Sequence, residues 1–94
     1  MESIQAKLIT VHGRVQGVGF RYFVEYTATR LKLTGNVRNC PDSTVEIVAE
    51  GNAKSIAELI NQVKQGPRLA RVERIDAVDI PVKGTYGSFS IEGW

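Results

Sequence analysis

Ile56, Leu59, Ile60 and Val63 recur at i, i+3, i+4 and i+7, while Lys54, Glu58, Asn61 and Lys64 take the intervening positions. That spacing draws an apolar stripe along one side of a helix, and the stripe must be covered by another element. Gly66 and Pro67 end the helix with a residue suited to a left-handed turn and one that cannot continue. The cover has to come from the same short chain. Its 94 residues suffice for one domain, spanning 1–94. A hydrophobic content of 43% is enough for a core and argues against disorder.

The covering surface reads as a sheet. In Thr44–Glu50 the residues Val45, Ile47 and Ala49 alternate with Glu46, Val48 and Glu50, the period of a strand with one buried face. Ala6–Val11 is a first strand ending at Gly13. A helix from about Tyr22 carries Phe20, Val24, Thr27 or Ala28, and Leu31 at helical spacing and stops at Gly35. Asn36–Asn39 is a strand, Cys40–Ser43 a turn, Val72–Ile80 a further strand and Ser88–Glu92 a short last one. The order is βαββαβ, with a fifth strand at the end. This is a split βαβ arrangement of the α+β class: a ferredoxin-like antiparallel sheet with two helices on one face. That fold hosts many unrelated activities, so function has to be read from a site.

Several classes fall away. The single cysteine, Cys40, and single histidine, His12, rule out a disulfide framework and cysteine-only or multi-histidine metal clusters. No apolar run approaches the roughly 18 residues of a membrane span, and the start lacks the pattern of a secretory signal. A cytoplasmic domain is expected, and a monomer, since no second apolar face is visible. The net charge of +2 does not demand a nucleic-acid partner. Its distribution is uneven, because residues 3–41 hold six basic side chains against Glu25 alone, which favours anions locally.

Gly13–Arg21 (GRVQGVGFR) joins the first strand to the first helix. Gly17 and Gly19 allow successive N–H groups to turn inward as an anion nest at a helix N-terminus. Arg21 stands at its mouth, where a guanidinium grips two phosphate oxygens. On spacing alone the stretch is an anion site or only a tight turn. A Walker loop is excluded by the missing Gly-Lys-Ser/Thr, and a dinucleotide G-x-G-x-x-G fails at Tyr22. Gln16–Phe23 partly matches an RNA-recognition pattern, but that motif belongs on the third strand, and TVEIVAE has no aromatic.

The loop resembles the phosphate-binding signature of the acylphosphatase family. The likeness continues through Leu33–Asn39 with Asp42 and Val45, and through Gly66–Val72 (GPRLARV), and so covers essentially the whole chain. It implies hydrolysis of an acyl phosphate to a carboxylate and inorganic phosphate, without metal or cofactor. The substrate is then a small acyl phosphate, with inorganic phosphate as product and inhibitor. The resemblance makes Val15, Gln16, Gly17, Val18, Gly19, Phe20 and Arg21 the phosphate-binding loop. Within it Arg21 binds the phosphoryl group, and Asn39 positions the attacking water. The leaving carboxylate has a conjugate acid of pKa ~4, so no general acid is required. His12 is expected in a structural role rather than as a base, and Cys40 as a packed side chain rather than a nucleophile. Departures from the family's habits fall at Asn36, at Ser43 and at the Glu92–Trp94 end, where they bear on the rim and on substrate preference. The competing reading is a catalytically silent anion- or protein-binding module that keeps the loop as a scaffold.

Overall fold

Alternation along the central strand dictates the layering. In the computed structural model, which describes residues 3–93, Val45, Ile47 and Ala49 have no exposed surface and point toward the helices. They belong to β3 (Val45–Asn52), flanked by β1 (Ile4–Arg14) and β2 (Thr34–Asn39), both antiparallel to it. β4 (Arg71–Ile80) lies antiparallel on the far side of β1, and β5 (Phe89–Glu92) lies parallel to β2. The five-strand order is β4-β1-β3-β2-β5. The four strands of the expected βαββαβ plait are antiparallel, and the short fifth makes the sheet mixed.

Two helices cover one face. α2 (Ala53–Gln65) buries Ile56, Leu59 and Val63 over β3 and β4 as its stripe requires, with Ile60 at the margin. Its N-terminus is capped by Asn52, whose Oδ1 accepts from the Lys54 N–H at 2.8 Å. α1 (Phe20–Arg30) buries Phe20, Val24, Thr27 and Ala28 over β2 and β5.

Two glycines are placed differently from the sequence expectation. Gly35 does not stop α1. The helix ends at Arg30, and Lys32 takes the left-handed position with φ 60°. The Leu33 N–H then bonds the Ala28 carbonyl and the Lys32 N–H the Thr29 carbonyl, a Schellman closure in which a lysine stands where glycine is usual. Gly35 instead lies inside β2 at φ 138°, where a Cβ would collide with the Val48 carbonyl. Gly13 likewise does not end β1, which continues to Arg14 through a register shift against β4.

The segment between β4 and β5 is fastened by one carboxylate. Glu50, buried in β3, accepts from the backbone N–H of Lys83 at 2.8 Å and of Gly84 at 3.1 Å. Backbone donors bound to a charged acceptor are costly to leave unpaired. Glu50→Ala is expected to destabilise the protein by about 2–3 kcal/mol. Urea denaturation would measure that loss, and amide exchange at Lys83 and Gly84 should rise more than in the helices.

Candidate active site

The loop between β1 and α1 is pinned at both ends. Val15 and Phe20 are almost wholly buried in the core, so residues 16–19 form a short arch between fixed posts. Gly17 has φ 72° and Gly19 φ 76°, and a Cβ at either would meet nothing within 4 Å. Backbone conformation, rather than space, therefore calls for glycine at both. Gly19 is also the N-cap of α1. Among the described residues no side chain caps its amides, in contrast to the Asn52 cap on α2, and no acidic residue lies in the first turn of α1. A helix start left in this state favours negative charge.

Strand register brings the second part of the site to the loop. Val45 of β3 pairs with Val11 of β1 on one side and with Asn39 of β2 on the other. β1 and β2 run in the same direction, each antiparallel to β3, so both reach the same end of the sheet there. A cavity of about 210 Å³ is lined by Val15, Gly17, Gly19, Phe20, Arg21, Tyr22 and Asn39. Arg21 and Asn39 thus share one concavity despite their separation in the chain. Asn39 Oδ1 is buried and has no hydrogen-bond partner among the described residues, a condition that costs about 1–3 kcal/mol in a folded protein. A neighbouring cavity of about 270 Å³, lined by Arg38, Asn39, Pro41, Glu92 and Gly93, meets the first at Asn39.

Not every residue of the expected phosphate loop lines the concavity. Val18 packs partly against the core, and the Gln16 side chain turns to the β2–β3 turn. His12 lies elsewhere, 3.0 Å from Asp76 and 3.2 Å from Arg74 on the β1–β4 pair. The hydrogen bond to His12, with Arg74 adding to it, holds the Asp76 carboxyl below its ordinary pKa. Cys40 donates its N–H to the Thr44 carbonyl and closes the turn after Asn39. Sequence reasoning missed Tyr22 as a lining residue and treated it only as a break in a dinucleotide pattern. Its position directly after Arg21 is the signal the sequence offered, and in the structure it is 72% exposed. Also missed was the end of β5: Arg21 Nη1 donates to the Glu92 carbonyl at 3.4 Å, a long and weak bond that leads the guanidinium toward that edge. Trp94, part of the divergent end, lies outside the described residues.

The turn after Asn39 has its own lock. Asp42 Oδ1 accepts from the Thr44 hydroxyl at 2.6 Å and from its N–H at 3.1 Å. These two bonds, the hydroxyl's first, hold the Asp42 carboxyl below its usual pKa. Ser43 takes φ 77°, so this turn uses a left-handed residue without glycine's freedom.

A glycine-containing loop at a helix N-terminus, beside an arginine and a strand-end amide on a ferredoxin-like plait, defines a class of small domain with a concavity suited to an anion. Comparison with known proteins makes this specific. The acylphosphatase family pattern matches residues 7–91. Acylphosphatase of Koribacter versatilis is 42% identical over 98% of this chain and 84% of its own length. That of Clostridium acetobutylicum is 45% identical over 89% of this chain and 92% of its own. The crystal structure of acylphosphatase from Bacillus subtilis superposes with a TM-score of 0.89 at 40% identity, covering 97% of this chain and all of that one. Full-length HypF contains a similar segment: TM-score 0.91 and 38% identity over 99% of this chain but 12% of that chain. The chain belongs to the acylphosphatase family, and acyl-phosphate hydrolysis is the activity its relatives support.

Gly19→Val would force a β-branched residue to positive φ, and a loss of roughly 1–3 kcal/mol is expected in urea denaturation. Asp42 supplies a pH signature. Because its carboxyl has a lower pKa folded than unfolded, it stabilises the protein above the unfolded value of ~3.9, and that contribution disappears as pH falls through the folded value. The difference in urea midpoint between wild type and Asp42→Asn should be present at pH 7 and shrink below about pH 4.

Proposed function

We propose that the chain hydrolyses acyl phosphates by direct attack of a water that Asn39 orients on a phosphoryl group held by the 15–21 loop and Arg21. The observation that carries this reading is that the Asn39 amide, whose Oδ1 has no hydrogen-bond partner among the described residues, lines the same concavity as Gly17, Gly19 and Arg21. A phosphate-holding loop has no need of a second amide across the cavity. An attacking water does, because an amide side chain holds it through its oxygen or its NH2 group and so aims a lone pair at phosphorus.

The chemistry asks little more. Water adds to phosphorus as the bond to the acyl oxygen breaks, giving a carboxylate, inorganic phosphate and a proton released to solvent. The carboxylate is stable without protonation, so the protein supplies alignment and charge stabilisation. Loop amides and the Arg21 fork neutralise the equatorial oxygens, and the same contacts account for inhibition by product phosphate. In-line displacement sends the acyl group to the side opposite Asn39, while the cavity beyond Asn39 gives solvent a route to the attacking position. On this reading the enzyme is a monomer that uses small acyl phosphates, with neither metal nor nucleic acid. Its free thiol, Cys40, accords with the reducing cytoplasm.

Phosphate release from an aromatic acyl phosphate, followed with excess chelator, tests the assignment. Asn39→Ala should lower kcat by about 10²–10³-fold, or about 3–4 kcal/mol, and leave phosphate inhibition nearly intact. Arg21→Gln should lose both turnover and phosphate inhibition. Wild-type release at the spontaneous rate would leave the loop a binding scaffold, and loss of phosphate binding in Asn39→Ala would make Asn39 a support for the loop.

A further inference from the structure

We propose that Gln16 is a positioning residue, whose side chain sets the distance between the phosphate-holding loop and the water-orienting Asn39. This rests on the roles assigned to the loop and Asn39 above.

The two halves of the site have no continuous support. The loop follows β1 and Asn39 ends β2, and β3 stands between those strands. Alignment within a fraction of an ångström needs a direct tie, and Gln16 provides it. Its Nε2 donates to the Cys40 carbonyl at 2.9 Å and to the Thr44 carbonyl at 2.9 Å, both in a partly buried setting. Among the described residues these are the only hydrogen bonds between residues 15–19 and 39–44.

The acceptors are the carbonyls that define the turn next to Asn39. The Cys40 carbonyl already accepts from the Ser43 N–H at 3.1 Å, and the Thr44 carbonyl from the Cys40 N–H at 2.9 Å. A carbonyl oxygen has two lone pairs, so Gln16 fills the remaining site on each. Its one nitrogen bridges both ends of the turn and holds its mouth at a set width. A side chain that lines no part of the cavity thereby governs the geometry inside it.

Glutamine suits the task for definite reasons. Its amide carries two N–H donors on one atom, and its stem reaches across the gap. Glutamate has the same shape but only acceptors, and would set a carboxylate against two carbonyl oxygens. Methionine keeps the approximate volume and removes the donors. Misplacement by about 1 Å costs on the order of 10²-fold in a positioned reaction, and the loss should fall on turnover, since each half of the site remains intact.

Gln16→Glu and Gln16→Met test this, with urea midpoints measured to confirm that both fold. In both, kcat should fall at least about tenfold, and in Gln16→Met, which adds no charge beside the anion site, the phosphate inhibition constant should stay within about threefold of wild type. A purely structural role would lower both together or neither. A second readout needs no turnover. Inorganic phosphate titrated into ¹⁵N-labelled wild type should shift the amide resonances of Gly17 and Gly19, and through the tie those of Cys40 and Thr44. In Gln16→Met the shifts at Gly17 and Gly19 should persist and those at Cys40 and Thr44 should vanish. The proposal is overturned by kcat within twofold of wild type in either variant, by parallel loss of kcat and phosphate affinity in Gln16→Met, or by undiminished shifts at Cys40 and Thr44 in Gln16→Met. Absence of wild-type hydrolysis would instead defeat the catalytic reading, and the phosphate titration would still judge the tie.

Discussion

Everything at the site depends on the pairing of Val45 with Val11 on one side and with Asn39 on the other. This row fixes where β1 and β2 end relative to each other, although nothing pairs them directly. A slip of one residue in either ladder would turn Val37, Ile47 or Ile9 from the core toward solvent, so apolar burial enforces the register. The relative placement of the loop and Asn39 is therefore inherited from core packing. The loop rises from the end of a strand whose Ile9 and Val11 are wholly buried, and Asn39 follows two residues after the equally buried Val37.

Around this frame, single polar side chains fasten the irregular segments. Glu50 secures the β4–β5 segment, Gln16 secures the loop to the turn after β2, and Asp42 secures that turn internally. Each spends its charge or amide on backbone groups that no strand or helix satisfies, which is the usual demand on buried polar atoms. Asn39 stands apart because its Oδ1 is buried without a hydrogen-bond partner among the described residues. By contrast, Lys7–Asp79 and Arg38–Glu46 are ion pairs with at least one exposed member, and such pairs contribute modestly to stability.

Much of this architecture is legible in the chain. The stripe of α2 and the alternation of β3 give two layers without ambiguity, and Gly17, Gly19 and Arg21 fit an anion site because left-handed backbone and a fork of donors suit one. The glycine loop by itself reads equally as a tight turn, and its resemblance to the family signature decides between the two; beyond that, legibility ends where a residue's role lies with a distant partner. Gly35 resembles a helix stop in the sequence, yet Lys32 ends α1 and Gly35 is required by the Val48 carbonyl across the ladder. Gln16 resembles one more loop residue, since its acceptors lie 24 and 28 positions away. Glu50 looks like a solvent-facing member of an alternating strand until the returning backbone of Lys83 and Gly84 covers it.

The sequence by itself determined the periodicities, the positions of both helices and the chemistry of the glycine loop, because these arise from neighbours within a few residues. Only the tertiary structure decided that β3 sits between β1 and β2, that Asn39 enters the same concavity as Arg21, and that Gln16 bridges the two halves. Those outcomes depend on strand register and chain return, where the partners are remote in sequence and are selected by collective burial of the core rather than by local preference.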